Sequence, residues 1–170
     1  MTACWNLITT KYNDGTNITN DNQWNNLTID AYCAYDNNNQ NAEKYGYLYN
    51  RYAFNTSKLA TEDWEELINY CGGKIKADKL KSKTDWLDEG GNCSDIYGFY
   101  AYPGGCRGYF FIDGGKFRYM EYDGFWWTGD NYGCMIFIDF YKVSHARVDS
   151  IAINSFVNMN AGASIQLIKK

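Results

Sequence analysis

Two adjacent tryptophans lie in the stretch that decides the fold, Gly124-Phe125-Trp126-Trp127-Thr128-Gly129-Asp130-Asn131-Tyr132-Gly133. Around them, glycine, aspartate, asparagine and tyrosine combine flat apolar rings, directional hydrogen bonding and a permissive backbone. This combination is more typical of a recognition surface than of a catalytic centre. Because neighbours in a strand face opposite sides of a sheet, we expect that Trp126 and Trp127 do not both point into the core.

Short apolar runs on both sides of this stretch indicate β-structure. Turn sequences such as Asp113-Gly114-Gly115 separate the runs. The predicted strands are Tyr109–Ile112, Phe117–Tyr122, Met135–Tyr141, Ser150–Ile153 and Ala163–Ile168.

Helices are predicted in the first half of the chain. Thr61 is suited to cap a helix that begins with acidic residues, and apolar residues recur at helical spacing from Trp64 to Cys71. Gly72-Gly73 is expected to end this helix, and a shorter one is expected over Ile75 to Leu80.

Two further segments of the first half have predicted structures. The Asn-rich residues 36–41 predict a loop, and Tyr45 to Phe54 predicts a strand with one buried face. Helices followed by many short strands favour an α+β class. We therefore predict one domain over residues 1–170, with mostly antiparallel short strands and one or two helices in the first half.

The composition limits the possible functions. The formal net charge is −4 and the isoelectric point is about 4.9, so no nucleic-acid partner is expected. The five lysines between Lys74 and Lys83 are interpreted as a solvated helix face. No apolar run approaches the length that a bilayer requires, so no membrane insertion is expected. The first residues also lack the features of a signal peptide.

Metal sites and disulfides receive little support from the sequence. The six cysteines include no CxxC pair and the chain has a single histidine, so a zinc site is not expected and free or partly paired thiols are favoured. No cofactor is predicted. Calcium is the one alternative, because oxygen ligands recur at Asp85, Asp88, Glu89, Asn92 and Asp95, but a solvated acidic loop is the favoured interpretation.

The candidate ligand-binding site follows from the opening stretch. Aromatic rings provide large contact area at low entropic cost, and aspartate and asparagine read hydroxyl groups. The next segment alternates from Asp139 to Arg147 and is expected to extend the same face. The predicted ligand-binding residues are Trp126, Asp130, Asn131, Tyr132, Asp139, Tyr141, His145 and Arg147.

Catalysis is not expected. A Ser-His-Asp or Cys-His site would have to use His145, the only histidine, and no motif places a nucleophile beside it. A reactive cysteine pair, for which Cys93 and Cys106 are the available candidates, also lacks a supporting motif.

Several segments, in order and across nearly the whole chain, resemble the Fibrobacter succinogenes major paralogous domain (FISUMP) family. They include Gly46-Tyr47-Leu48-Tyr49-Asn50-Arg51-Tyr52-Ala53, the Trp64 helix with its two glycines, Tyr102-Pro103-Gly104-Gly105-Cys106-Arg107 and Trp127-Thr128-Gly129. The resemblance implies a C-type-lectin-like fold in a diverged member. By family position, Trp127 is the structural tryptophan and Trp126 the more exposed one.

The resemblance also implies a function and a location. Family members resemble surface or secreted modules, so the expected location is extracellular, on a cell surface or on a virion of bacterial or phage origin. The expected function is non-enzymatic recognition of a cell-surface glycan or protein. Related lectin-like domains are receptor-binding proteins diversified by retroelements. The alternatives are an assembly subunit of a virion or cell surface and, less favoured, an enzyme on the same fold.

Overall fold

The structure is a computed structural model that describes residues 5–6, 16–56, 64–87, 93–108, 114–127, 135–143, 146–154 and 158–167. Within these ranges the chain has a mixed α+β architecture with small sheets and few helices. The predicted class is therefore confirmed at this level. The predicted strand Tyr109–Ile112 lies outside the described residues.

The helices are short and lie in the first half of the chain, as predicted, but the described ranges contain more than the one or two expected. The α-helices are α1 Asp21–Asn25, α2 Asn39–Tyr45, α3 Arg51–Thr56 and α4 Trp64–Cys71, and the 3₁₀ helices are Tyr35–Asn37 and Lys74–Lys79.

The strands form three sheets, mostly with antiparallel neighbours. β1 Trp5–Asn6 pairs with β10 Gln166–Leu167, and β2 Thr16–Asn17, β3 Ala31–Cys33 and β4 Leu48–Tyr49 form a second sheet. The largest sheet has the order β6-β5-β7-β8-β9. Its strands are β5 Gly104–Arg107, β6 Phe117–Met120, β7 Gly124–Trp127, β8 Met135–Val143 and β9 Ala146–Asn154.

The predicted helix at Trp64 is confirmed, and its end has a clear physical cause. Gly72 and Gly73 have φ values of 97° and 106°, a region that L-residues with a side chain rarely adopt. The Gly73 N–H donates to the carbonyl of Ile68 at 2.9 Å, which satisfies one of the last helical carbonyls. The 3₁₀ helix Lys74–Lys79 then occupies the place of the predicted second helix.

Two predictions for the first half are wrong. The Asn-rich segment is helical rather than a loop, because the Asn38 side chain accepts from the backbone N–H of Gln40 at 3.0 Å and caps α2. The segment from Tyr45 to Phe54 contains the end of α2, the two-residue strand β4 and the start of α3 instead of one strand.

Both tryptophans of β7 are buried, and the prediction that Trp126 is the more exposed is wrong. Trp126 and Trp127 are each 0% exposed because the central sheet is covered on both faces. Trp126 belongs to the first core, with Leu67, Ile68, Leu80, Phe99 and Ile138. Trp127 belongs to the second core, with Tyr49, Phe54, Cys106, Phe125 and Ile165.

The position of Trp126 depends on Gly124, two residues earlier on the same face of the strand. The indole extends over Gly124, where a Cβ atom would collide with Cη2 of Trp126. A third group of buried residues, which includes Trp24, Cys33 and Leu48, lies under β3 and β4.

Candidate functional site

Arg107, the last residue of β5, is fully buried and joins distant parts of the chain. Its Cζ lies 4.5 Å from the ring centroids of both Trp24 and Phe117. Its guanidinium donates hydrogen bonds of 2.6–3.1 Å to the carbonyls of Ile18, Thr19 and Gly115 and to the carboxylate of Asp21. A buried charge requires such partners, so Arg107 has a structural role.

Asn50 and Trp127 also serve the fold. The Asn50 side chain accepts from the backbone N–H groups of Ala31 and Ala53 at 3.1 and 3.0 Å, and donates to the carbonyl of Ile29 at 2.8 Å. The Trp127 indole N–H donates to the carbonyl of Tyr49 at 2.7 Å. We call Asn50, Arg107 and Trp127 the motif framework, because each lies in a segment that carries the family resemblance.

Cys33 and Cys71 are poor candidates for a catalytic nucleophile. Both are buried free thiols. Burial raises the pKa of Cys33 to about 12, against the opposing charge of Arg107, and raises the pKa of Cys71 to about 11. Neither group therefore supplies a thiolate at neutral pH.

The predicted ligand-binding residues do not form one described face. Trp126 is buried, and Asp130, Asn131, Tyr132 and His145 lie outside the described residues.

The backbone register of the β8–β9 hairpin places the remaining three predicted residues. Tyr141 pairs with Val148 and Asp139 with Ser150, whereas Arg147 pairs with Lys142. Paired positions share a face and successive positions alternate. Arg147 therefore lies on the opposite face of the hairpin from Asp139 and Tyr141, so the predicted shared face is wrong.

A different surface is assembled from four separate segments. The exposed fractions of Leu87, Tyr100 and Tyr122 are 55%, 47% and 51%. Backbone bonds connect the segments, since the Leu87 N–H donates to the Glu121 carbonyl and the Glu121 N–H donates to the Pro103 carbonyl, each at 2.8 Å. We call this the Tyr102 surface, and it comprises Lys44, Asp85, Leu87, Tyr100, Tyr102, Glu121 and Tyr122.

An ion pair lies at its centre. Lys44 Nζ is 2.6 Å from Asp85 Oδ1, and the Asp85 carboxylate also accepts from the Thr84 hydroxyl at 2.8 Å. The hydrogen bond with Asp85 holds the pKa of Lys44 well above its ordinary value. Burial raises the pKa of Tyr102, and the Asp85 charge adds to that increase, as expected for a carboxylate near the phenol.

The backbone of this surface is strained. Asp85, Tyr100 and Glu121 have φ values of 80°, 54° and 69°, and none of them is glycine. Such positions cost free energy and persist only where the surroundings determine them, which is common at ligand clamps. For Tyr100 the determining group is Asp95 Oδ1, which accepts from the N–H groups of Phe99 and Tyr100 at 2.8 and 3.0 Å.

Of the five oxygen donors in the calcium alternative, two lie within the described ranges. Asp85 and Asp95 already accept hydrogen bonds from protein groups. Asp88, Glu89 and Asn92 lie outside the described ranges. Within those ranges no group of three or more His, Cys, Asp or Glu is placed to hold a metal ion.

The lysine-rich segment is only partly solvated. Lys74, Lys76 and Lys83 are exposed, but Lys81 is fully buried with its Nζ 4.0 Å from the Trp86 ring centroid. Lys79 donates to the Cys71 carbonyl at 2.6 Å at the end of α4. The prediction of a uniformly solvated face is therefore wrong. Every helix in the described ranges is too short or too polar to cross a membrane.

By its fold and surface, the protein is a small mixed α+β domain that presents an aromatic surface on a buried framework. The chain as a whole matches the Fibrobacter succinogenes major domain over residues 2–169, and it belongs to that family. The resemblance seen in the sequence is thereby confirmed. Neither the curated proteins nor the solved structures include one that matches this chain.

Proposed function

We propose that this protein is a non-enzymatic recognition module, on a C-type-lectin-like fold, for a glycan or protein on a cell surface. The observation that carries the proposal is the Tyr102 surface, where the exposed Tyr100 has a positive φ and the exposed Tyr122 follows Glu121, which also has one. Strained backbone of this kind is common where a binding geometry must be kept.

The aromatic side chains supply the contact area. Tyr100 and Tyr122 are about half exposed, and tyrosine offers a rigid, amphipathic face with few rotatable bonds. Ordering such side chains on binding costs little entropy, which favours affinity from a small surface.

The β8–β9 hairpin extends the proposal towards the residues expected from sequence. Ile138 pairs with Gly124, the first residue of β7, so residues 139–143 of β8 extend beyond the start of β7, which Tyr122 precedes by two residues. Asp139 and Tyr141 on the hairpin, with Asp130, Asn131, Tyr132 and His145, remain a proposed second contact area. Arg147, on the other face of the hairpin, is left out of it. Diversification of this C-terminal part for receptor binding on a cell surface or virion is part of the proposal.

The test is a comparison of wild type with Tyr100→Ala and Tyr122→Ala for binding to glycan arrays and cell-surface extracts. We expect wild-type binding to fall at least tenfold in each variant, with an unchanged melting temperature. The matched control is Tyr70→Ala, because Tyr70 is 57% exposed but lies on α4. Equal binding by all four folded proteins would contradict the placement of the site, and no binding by wild type would contradict recognition.

An assembly subunit is the second candidate, and one observation favours it. In the part of the chain that the structure describes, the nine-residue strand β9 pairs with β8 alone. The 3₁₀ helix Lys74–Lys79 contacts β9, but a strand edge without a paired neighbour can still serve as a template for another chain. Sedimentation of the purified protein separates the candidates, since a monomer at all accessible concentrations would count against assembly.

A further inference from the structure

Lys44 and Asp85 form a paired donor and acceptor on the surface rather than a buried ion pair. The side chains are 47% and 20% exposed. An ammonium group has three donors and a carboxylate about four acceptor positions, so each keeps hydrogen-bonding capacity beyond their shared bond. A sugar hydroxyl both donates and accepts, and two adjacent hydroxyls can therefore satisfy the two groups together.

The charge of the Tyr102 surface selects against ionic ligands. The surface carries the Lys44 ammonium and the carboxylates of Asp85 and Glu121, which gives it a formal charge of −1 in a chain of −4. An acidic glycan would meet like charge. A cationic ligand would have to displace the Lys44 ammonium, which already occupies the position beside Asp85. A neutral polyhydroxylated ligand meets neither obstacle.

The conformation of Tyr100 also favours a sugar. The fixed backbone of Tyr100, held by the Asp95 carboxylate, suits one planar ring stacked on one sugar face.

We propose that the Tyr102 surface binds a neutral glycan without calcium, with a sugar ring stacked on Tyr100 and adjacent hydroxyls hydrogen-bonded to the Lys44–Asp85 pair. This inference rests on the proposed recognition function and makes it specific in ligand class. Calcium has no part in this proposal, because within the described ranges no group of three or more His, Cys, Asp or Glu is placed to hold a metal ion.

The experiment uses arrays of neutral, sialylated and sulfated oligosaccharides, in calcium and in a chelator. The variants are Asp85→Asn, Tyr100→Ala and the control Tyr70→Ala. Asn tolerates the positive φ of Asp85 while removing its charge, so the backbone is expected to persist. Melting curves of all variants verify that each is folded.

We expect binding to neutral oligosaccharides that survives the chelator, falls at least tenfold in Asp85→Asn and Tyr100→Ala, and is kept in Tyr70→Ala. Binding that requires calcium, or that is confined to acidic glycans, would overturn this inference and leave the recognition function standing. Binding only to a protein of a cell-surface extract would do the same. No binding to arrays or extracts by folded wild type would overturn both.

Discussion

The motif framework and the Tyr102 surface both contain charged and polar side chains, but these side chains are buried in the framework and solvent-accessible on the surface. In the framework, the guanidinium of Arg107 and the amide of Asn50 are fully buried, and each makes several hydrogen bonds to the backbone. On the Tyr102 surface, Lys44 and Asp85 remain in contact with solvent and pair with each other.

This difference indicates that the family motifs specify the buried framework, whereas features outside the motifs distinguish one member from another. The segments that identify the family hold the chain together at points far apart in sequence, as Arg107 does with residues 18–21. The candidate binding residues Tyr100 and Tyr122 lie outside those segments. Family membership therefore specifies a scaffold, and the proposed ligand contacts of Tyr100 and Tyr122 lie on a surface outside the motifs.

The largest expected effect is the loss of Arg107. Arg107→Ala would leave the buried carbonyls of Ile18 and Gly115 without their donor and remove the packing against Trp24, at a cost of about 3–5 kcal/mol in the free energy of unfolding. Urea unfolding followed by circular dichroism measures it. The control is Arg118→Ala on the exposed face of β6, expected to change stability by about 0.5 kcal/mol or less. Equal effects at the two positions would contradict a special role for Arg107.

Two glycines with nearly the same backbone φ test how tightly the framework and the Tyr102 surface are packed. Gly105 and Gly98 have nearly equal φ values, 65° and 63°. A Cβ at Gly105 would lie 2.5 Å from the Arg118 carbonyl oxygen, whereas at Gly98 the nearest atom is 3.9 Å away. We expect Gly98→Ala to lower the free energy of unfolding by about 1–2 kcal/mol, because of its positive φ alone. Gly105→Ala is expected to lower it by about 1–3 kcal/mol more, because of the clash with the Arg118 carbonyl.

Thermal and urea unfolding of the two glycine variants measure the difference. A cost at Gly98 as large as that at Gly105 would show that the loop of Tyr100 is packed as tightly as the framework, and the contrast between the regions would fail.

The smallest expected effect concerns Asp95. Burial raises the pKa of this carboxyl, despite the opposing Tyr100 and Phe99 N–H donors. A carboxyl with a raised pKa in the folded state binds its proton more tightly there than in the unfolded chain. Its ionised form therefore lowers the free energy of unfolding at pH values above that pKa. This loss of stability disappears as the pH falls through the raised pKa and the carboxyl becomes protonated. Asp95→Asn, which keeps an acceptor oxygen, is expected to be up to about 1 kcal/mol more stable at pH 7.

The Asp95 prediction is checked by unfolding at pH 7 and at pH 3, where the gain should vanish. Asp95→Ala is the control, because it removes the acceptor of two N–H groups and should destabilise at both pH values. A loss in Asp95→Asn at pH 7 would show that the charge itself holds the loop.

The elements predicted correctly are those that carry their own periodic signal. The amphipathic spacing and glycine end of α4, and the apolar alternation at β6, β8 and β9, are local patterns. The wrong predictions arise from non-local packing. The Trp126–Trp127 pair follows strand alternation, but alternation does not reveal that a second layer covers the other face.

The Tyr102 surface could not be found from sequence for a related reason. Its members come from residues 44, 85–87, 100–102 and 121–122, and only Tyr102 lies in a segment that carries the family resemblance. The acidity of Asp95 is visible in sequence and suggests a calcium ligand, whereas its bonds to two backbone N–H groups depend on a turn conformation.

The contact of the Trp126 indole with Gly124 has an evolutionary consequence. A methyl group at position 124 would collide with the Trp126 ring and would also lie 2.8 Å from the backbone carbonyl oxygen of Tyr102. A smaller residue at position 126 removes only the first obstacle, so glycine is expected to persist at position 124 even in relatives whose residue 126 is smaller.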